Sequence, residues 1–180
     1  MKTLNEIYQN YQSPSGHGDK GTLHSYIDEY QRLLEPHRFN STVLEIGLYM
    51  GESLRMWEEF FIDSEVFGLE IDSHLLKEMI EEGNHKIVIG DATNPDILNF
   101  FGDRMFDVVI DDGSHWLEHQ VKSFNIFKER MKPNGIYIIE DIDNIDKTKE
   151  VFETLHNNIE IVDNRHIKGR YDDVLVIYKF

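Results

Sequence analysis

Cysteine is absent from this chain of 180 residues. That removes disulfides, thiolate nucleophiles and zinc–thiolate sites, so any metal must be held by oxygen or imidazole, which favours magnesium, calcium or manganese. Basic residues are scarce: 18 Lys and Arg stand against 34 Asp and Glu, a formal net charge of −16. Nucleic-acid affinity comes mostly from cations neutralising phosphates, so no nucleic-acid partner is expected. No apolar run approaches a membrane span, and the opening MKTLNEIYQNYQ lacks the apolar core of a signal peptide. A soluble cytoplasmic protein with no membrane partner is therefore expected. Low-complexity runs are missing as well; with 40% hydrophobic residues, one compact domain with a real core should form.

Residues 8–21 (YQNYQSPSGHGDKG) carry Ser, Pro, Gly and His without periodicity and read as a loop or arm. This gives an N-terminal arm over 1–21 and a single domain over 22–180. Over 23–34 apolar and aromatic residues recur at helical spacing, with Thr22 as a cap and Pro36 closing the segment. The favoured role for this helix is to cover a sheet edge; the alternative is that it brings Lys20, His24 and Tyr26 over the active edge.

Residues 43–46 form a first strand, followed by Gly47, Leu48, Tyr49, Met50, Gly51 and a helix over 52–61. Strand, glycine turn, helix is the nucleotide-binding opening of a doubly wound sheet. A dinucleotide fingerprint needs glycine where Tyr49 stands, since that glycine lets backbone approach a pyrophosphate. A ligand without phosphate at this turn fits better, and Glu45 is an acid facing the same crevice. S-adenosylmethionine, a cationic ligand, suits it. A second strand over 66–71 carries Glu70, placed for ribose hydroxyls. After a helix over 74–82, a third strand over 86–89 leads to Asp91 and Ala92; Asp91 either accepts from an adenine amino group or caps the turn into Pro95.

The stretch 106–141 reads FDVVIDDGSHW, a crossover helix, then NGIYIIED. Right-handed crossover brings the two parallel strand tips to one edge, so Asp111 and Asp112 meet Glu140 and Asp141 where open α/β sheets bind ligands. Three carboxylates converging without a nearby basic partner would repel one another, and a divalent cation is the economical way to hold them. His115 lies within reach of a metal-bound hydroxyl, with His119 one helical turn later as the other candidate. Beyond it come a helix over 145–155, a short strand over 159–162 and an alternating strand over 174–178, able to end the sheet as an antiparallel pair. The implied fold is α/β: a Rossmann-like doubly wound sheet of seven strands, mostly parallel, with an antiparallel last strand and helices on both faces.

VLEIGLYMGESLRMW, FGLEID, GDATN, FDVVIDDGSHWLEHQVKSF and NGIYIIED together resemble the class I S-adenosylmethionine-dependent methyltransferases. More narrowly they are similar to metal-dependent sugar O-methyltransferases of the macrolide and rhamnosyl type and to cephalosporin hydroxylase-like relatives. The resemblance implies that Glu45, Gly47, Tyr49 and Gly51 line the methionine side of the cofactor, that Glu70 takes the ribose and Asp91 with Ala92 the adenine, and that Asp111 completes the crevice. It implies magnesium or manganese on Asp112, Glu140 and Asp141, with His115 as general base beside Asp112. The acceptor would be a small molecule: a sugar, nucleotide sugar or glycosylated metabolite. Assembly into a homo-oligomer is left open. The alternatives are a cofactor-binding protein without catalysis, or a non-methyltransferase enzyme such as an oxidoreductase on the same scaffold.

Overall fold

The computed structural model describes residues 1–11 and 18–180. Its centre is a seven-stranded sheet in the order β3-β2-β1-β4-β5-β7-β6. The strands are β1 (Thr42–Ile46), β2 (Glu65–Glu70), β3 (Lys86–Ile89), β4 (Phe106–Asp111), β5 (Met131–Ile139), β6 (Ile159–Asp163) and β7 (Val174–Lys179). The pairs among β1 to β5 are parallel, and β7 runs antiparallel to both neighbours, β5 and β6. The expected architecture is the observed one. Central strands read as continuous apolar runs because both faces are covered. Val43, Val108, Ile136 and Ile138 point into one core, while Leu44, Val109, Tyr137 and Ile139 point into the other.

The first core is closed by α1 (Leu4–Tyr8), α2 (Ile27–Leu34) and α3 (Glu52–Phe60); the second lies under a 3-10 helix (Pro95–Phe101), α5 (Leu117–Phe127) and α6 (Ile145–Leu155). Short helices α4 (Lys77–Glu82) and α7 (Arg165–Lys168) complete the chain. Most boundaries shift by no more than one residue, but two helix starts move further: α2 begins at Ile27 rather than at 23, and α4 at Lys77 rather than at 74. The expected arm begins as helix α1, whose Leu4, Ile7 and Tyr8 are buried and whose Thr3 and Glu6 form a capping box. Residues 12–17 of the expected arm lie outside the described residues. Among the described residues no helix is long and apolar enough to cross a membrane.

Candidate active site

Register sets the site. β1, β4 and β5 end level, with Ile46 beside Asp111 and Asp111 beside Ile139. The residues that follow, Gly47, Asp112 and Glu140, therefore stand along one edge. Gly47 adopts φ +83°, and a Cβ there would overlap the carbonyl of Asp112. Only glycine allows that approach. His115 and Asp141 also take left-handed backbone, at φ 60° and 54°, as does Tyr49 at 50°. Non-glycine residues in that region are strained, and such strain clusters at functional sites.

The acids are not alone. Lys20 Nζ lies 2.6 Å from Asp112 Oδ2, 2.6 Å from Glu140 Oε1 and 3.6 Å from Glu45 Oε1, and its side chain is 3% exposed. The expectation of carboxylates without a basic partner is thus corrected, and so is the edge-covering role favoured for the helical segment. The segment around Gly18–Tyr26 lies over the active edge instead: Tyr26 donates to Asp141 Oδ1 at 2.8 Å, Tyr30 donates to Glu140, and His24 Nε2 is 3.3 Å from Asp141 Oδ1. Sequence reasoning brought Lys20, His24 and Tyr26 over this edge only as the less favoured alternative, and it gave Tyr30 no place in the site. The signal available was Tyr26 and Tyr30 on one helical face, whose hydroxyls need partners once buried.

Asp112, His115 and Asp141 present ligand atoms that all lie within 4.8 Å of one another. The imidazole of His115 sits between the carboxylates, Nε2 3.2 Å from Asp112 Oδ1 and Nδ1 3.7 Å from Asp141 Oδ2. Burial works against its charge, yet the hydrogen bond to Asp112 and the charges of Asp112, Asp141 and Asp111 push it up to about 9. Glu140 is turned away from that group, toward Lys20 and Tyr30. Burial and the neighbouring charge of Asp112 raise Glu140 well above the usual carboxylate range; the same causes raise Asp141 to about 6. Asp112 lies low in spite of burial, held down by Lys20 and His115.

Two cavities meet at this edge. One, of about 400 Å³, is lined by Gly47, Tyr49, Glu70, Gly90, Asp91, Ala92, Asp111 and Gln120 among others. The other, of about 380 Å³, is lined by Tyr8, Tyr11, Asp19, Lys20, Tyr49, Glu52, Asp112 and His115 among others. They share Gly47, Tyr49, Asp112 and Gly113.

The other expected residues are placed as follows. Glu45 is fully buried and lines neither cavity; it accepts from Trp57 Nε1 and Ser53 Oγ, both at 2.9 Å, and burial pushes it up to about 7. The expectation that it faces the crevice is corrected, because its indole and hydroxyl partners lie on α3 beneath the turn. Gly51 sits at φ +86° at the start of α3, against Met79, and lines neither cavity. Glu70 accepts the amides of Leu48, Tyr49, Ile71 and Asp72, so it braces the glycine turn from the wall of the first cavity. Asp91 accepts the amide and hydroxyl of Thr93, both at 2.8 Å, and also lines that cavity. Asp111 is raised to about 7 by burial and receives the Tyr137 hydroxyl. His119 pairs with Ser114, stacks on exposed Trp116 and faces the first cavity, away from the His115 cluster.

No family model matches the chain. Demethylmacrocin O-methyltransferase of Streptomyces fradiae is 37% identical over 149 residues, covering 77% of this chain and 36% of the relative. Mycinamicin VI 2''-O-methyltransferase of Micromonospora griseorubida is 34% identical over the same shares. The solved structure of the MycE methyltransferase from the mycinamycin pathway, in complex with Mg and SAH, superposes with a TM-score of 0.72 at 27% identity, over 99% of this chain and 55% of that one. The chain belongs to the class I S-adenosylmethionine-dependent methyltransferases. Within this family its sequence relatives are sugar O-methyltransferases. The chain spans about a third of the length of those curated relatives.

Proposed function

We propose that this methyltransferase-family chain transfers a methyl group from S-adenosylmethionine to a hydroxyl of a sugar or similar small diol, with magnesium or manganese. The observation that carries the reading is the meeting of the two cavities at Asp112, with His115 and Asp141 converging beside it. The first cavity suits the adenosyl end of the cofactor, since Glu70, Asp91 and Ala92, the acids and small residue expected at ribose and adenine, all line it. The donor set suits a hard divalent ion, being oxygen-rich with no thiolate. The charge balance fits too: Glu45, Asp111, Asp112, Glu140 and Asp141 are all buried or nearly so, and Lys20 balances only part of them. Asp112 and Asp141 would hold the ion, with Glu140 adjacent. When bound, the ion lowers a coordinated hydroxyl pKa and fixes its direction, and the cofactor supplies the methyl group.

The chain's own residues do the rest. A hydroxyl that attacks a methyl group loses its proton, and His115, partly exposed at the second cavity, is the group placed to take it. Tyr26 and His24 orient Asp141 from behind, and Lys20 holds Asp112 and Glu140 in place. The second cavity, with acids and tyrosines on its walls, suits a hydroxyl-rich acceptor such as a sugar, nucleotide sugar or glycosylated metabolite. Titration calorimetry with S-adenosylhomocysteine, with and without magnesium, tests the reading, followed by methyl transfer to a panel of glycosides and nucleotide sugars. Binding of the product nucleoside with methylation of a hydroxyl is the expected result; binding of neither S-adenosylmethionine nor its product would overturn it.

A further inference from the structure

The segment that carries Lys20, His24 and Tyr26 has no strand neighbours. Its carbonyls need donors from elsewhere, since unpaired backbone groups are costly once withdrawn from water. They find them in the loop 164–173 between β6 and β7. Lys168 Nζ lies 2.7 Å from the carbonyl of Gly21, 3.2 Å from that of Thr22 and 2.6 Å from that of His24. Asp173 accepts the Ser25 amide at 2.9 Å, and Asn164 Nδ2 donates to the Ser25 carbonyl at 3.0 Å. Arg170 Nε meets the His24 ring at 2.6 Å. An ammonium has three donors and no acceptor, which matches three converging carbonyls.

We propose that the loop 164–173 is a latch for the segment 21–26, and that Lys168 is a positioning residue of the active site. It sits at the end of α7, exposed, and lines neither cavity at the strand tips. By fixing the path of the backbone between Gly21 and His24 it fixes where Lys20 and His24 enter the acid cluster. The effect on ligands rests on the function proposed above; the effect on the backbone does not.

The test compares wild type, Lys168→Met and Lys168→Arg by amide hydrogen exchange, thermal melting and magnesium titration. Lys168→Met should speed exchange across 21–26 by about tenfold or more, because local opening of that segment becomes easier. Its Tm should stay within about 2 °C of wild type, as for a surface change. Magnesium affinity should fall several-fold, less than the roughly 10–100-fold lost when a group that directly orients a metal ligand is removed, and Lys168→Arg should restore both readouts. Unchanged exchange over 21–26 in Lys168→Met would overturn the latch. So would an acceleration spread evenly over the sheet with a lowered Tm. If wild type binds neither magnesium nor S-adenosylhomocysteine, the proposed function fails, while the exchange pattern still decides the latch.

Discussion

His115 and Lys20 are the two residues whose chemistry the neighbouring acids control most. His115→Ala should lower turnover by about 10²-fold or more, the usual worth of a positioned base, while S-adenosylhomocysteine affinity stays near wild type. His119→Ala should instead weaken the cofactor and keep the pH profile, since His119 lines the cavity proposed for the adenosyl group; the reverse pattern would reassign the base. In the metal-free protein the His115 ring carbons should titrate near 9 by NMR, because Asp112 and Asp141 flank the ring. Lys20→Met removes the ammonium that stands among buried Glu45 and Glu140 and partly buried Asp112. The expected loss is about 3–5 kcal/mol at pH 8, as when one partner of a buried pair is deleted, and less at pH 5, where the acids can protonate. Equal losses at both values, by denaturant titration, would count against the ion-pair role. The paired acids at the strand tips were legible in the sequence because strand period and a right-handed crossover dictate where they go. Lys20 was not. Nothing local distinguishes a lysine in GDKG that points to solvent from one buried against Asp112 and Glu140, residues far along the chain.

Among the elements, the alternation of strands and helices from Thr42 onward was readable because each has a clean apolar period and a glycine or acidic turn at its end. Boundaries slipped where the chain is held by tertiary contacts. Residues 23–26 fit a helical period, yet their backbone is drawn into turns by the Asp19 carbonyl, which accepts the amides of Thr22, Leu23 and His24. Glu45 misled for a related reason: strand alternation cannot tell a crevice from a core that contains an indole donor. At the β1 turn the expectation is sharp. Gly47→Ala adds a Cβ against the Asp112 carbonyl at a left-handed position, so it should cost roughly 1–3 kcal/mol of strain and weaken the cofactor. Gly83→Ala, left-handed but with open space around it, is the control that carries the backbone penalty alone. Equal melting points for the two would refute the close-approach argument.

At the scale of the molecule, excess acid makes stability depend on pH. Burial raises Glu45 and Asp111 to about 7, and burial with the charge of Asp112 raises Asp141 to about 6. Groups raised on folding bind protons more tightly in the folded state. Their contribution is full below the unfolded carboxylate value near 4 and is lost as pH climbs through the folded values. Between pH 5 and pH 8 the metal-free protein should therefore lose stability as pH rises. Magnesium should recover part of that loss at pH 8 through mass action, and EDTA should abolish the recovery. A Tm that rises steadily from pH 5 to pH 8 without metal would contradict the assigned shifts.

The place of β7 has a further consequence, for the order of events during synthesis. This strand lies inside the sheet, between β5 and β6, although it is made after both. Until it emerges from the ribosome, the inner edges of β5 and β6 have no partner, and an unpaired inner edge invites pairing with other chains. The latch loop just before it is also late, yet it grips residues made before β1. The edge at the strand tips can thus be completed only when the segment ahead of β1 meets the loop ahead of β7, and a nascent chain must keep an open sheet in hand until then.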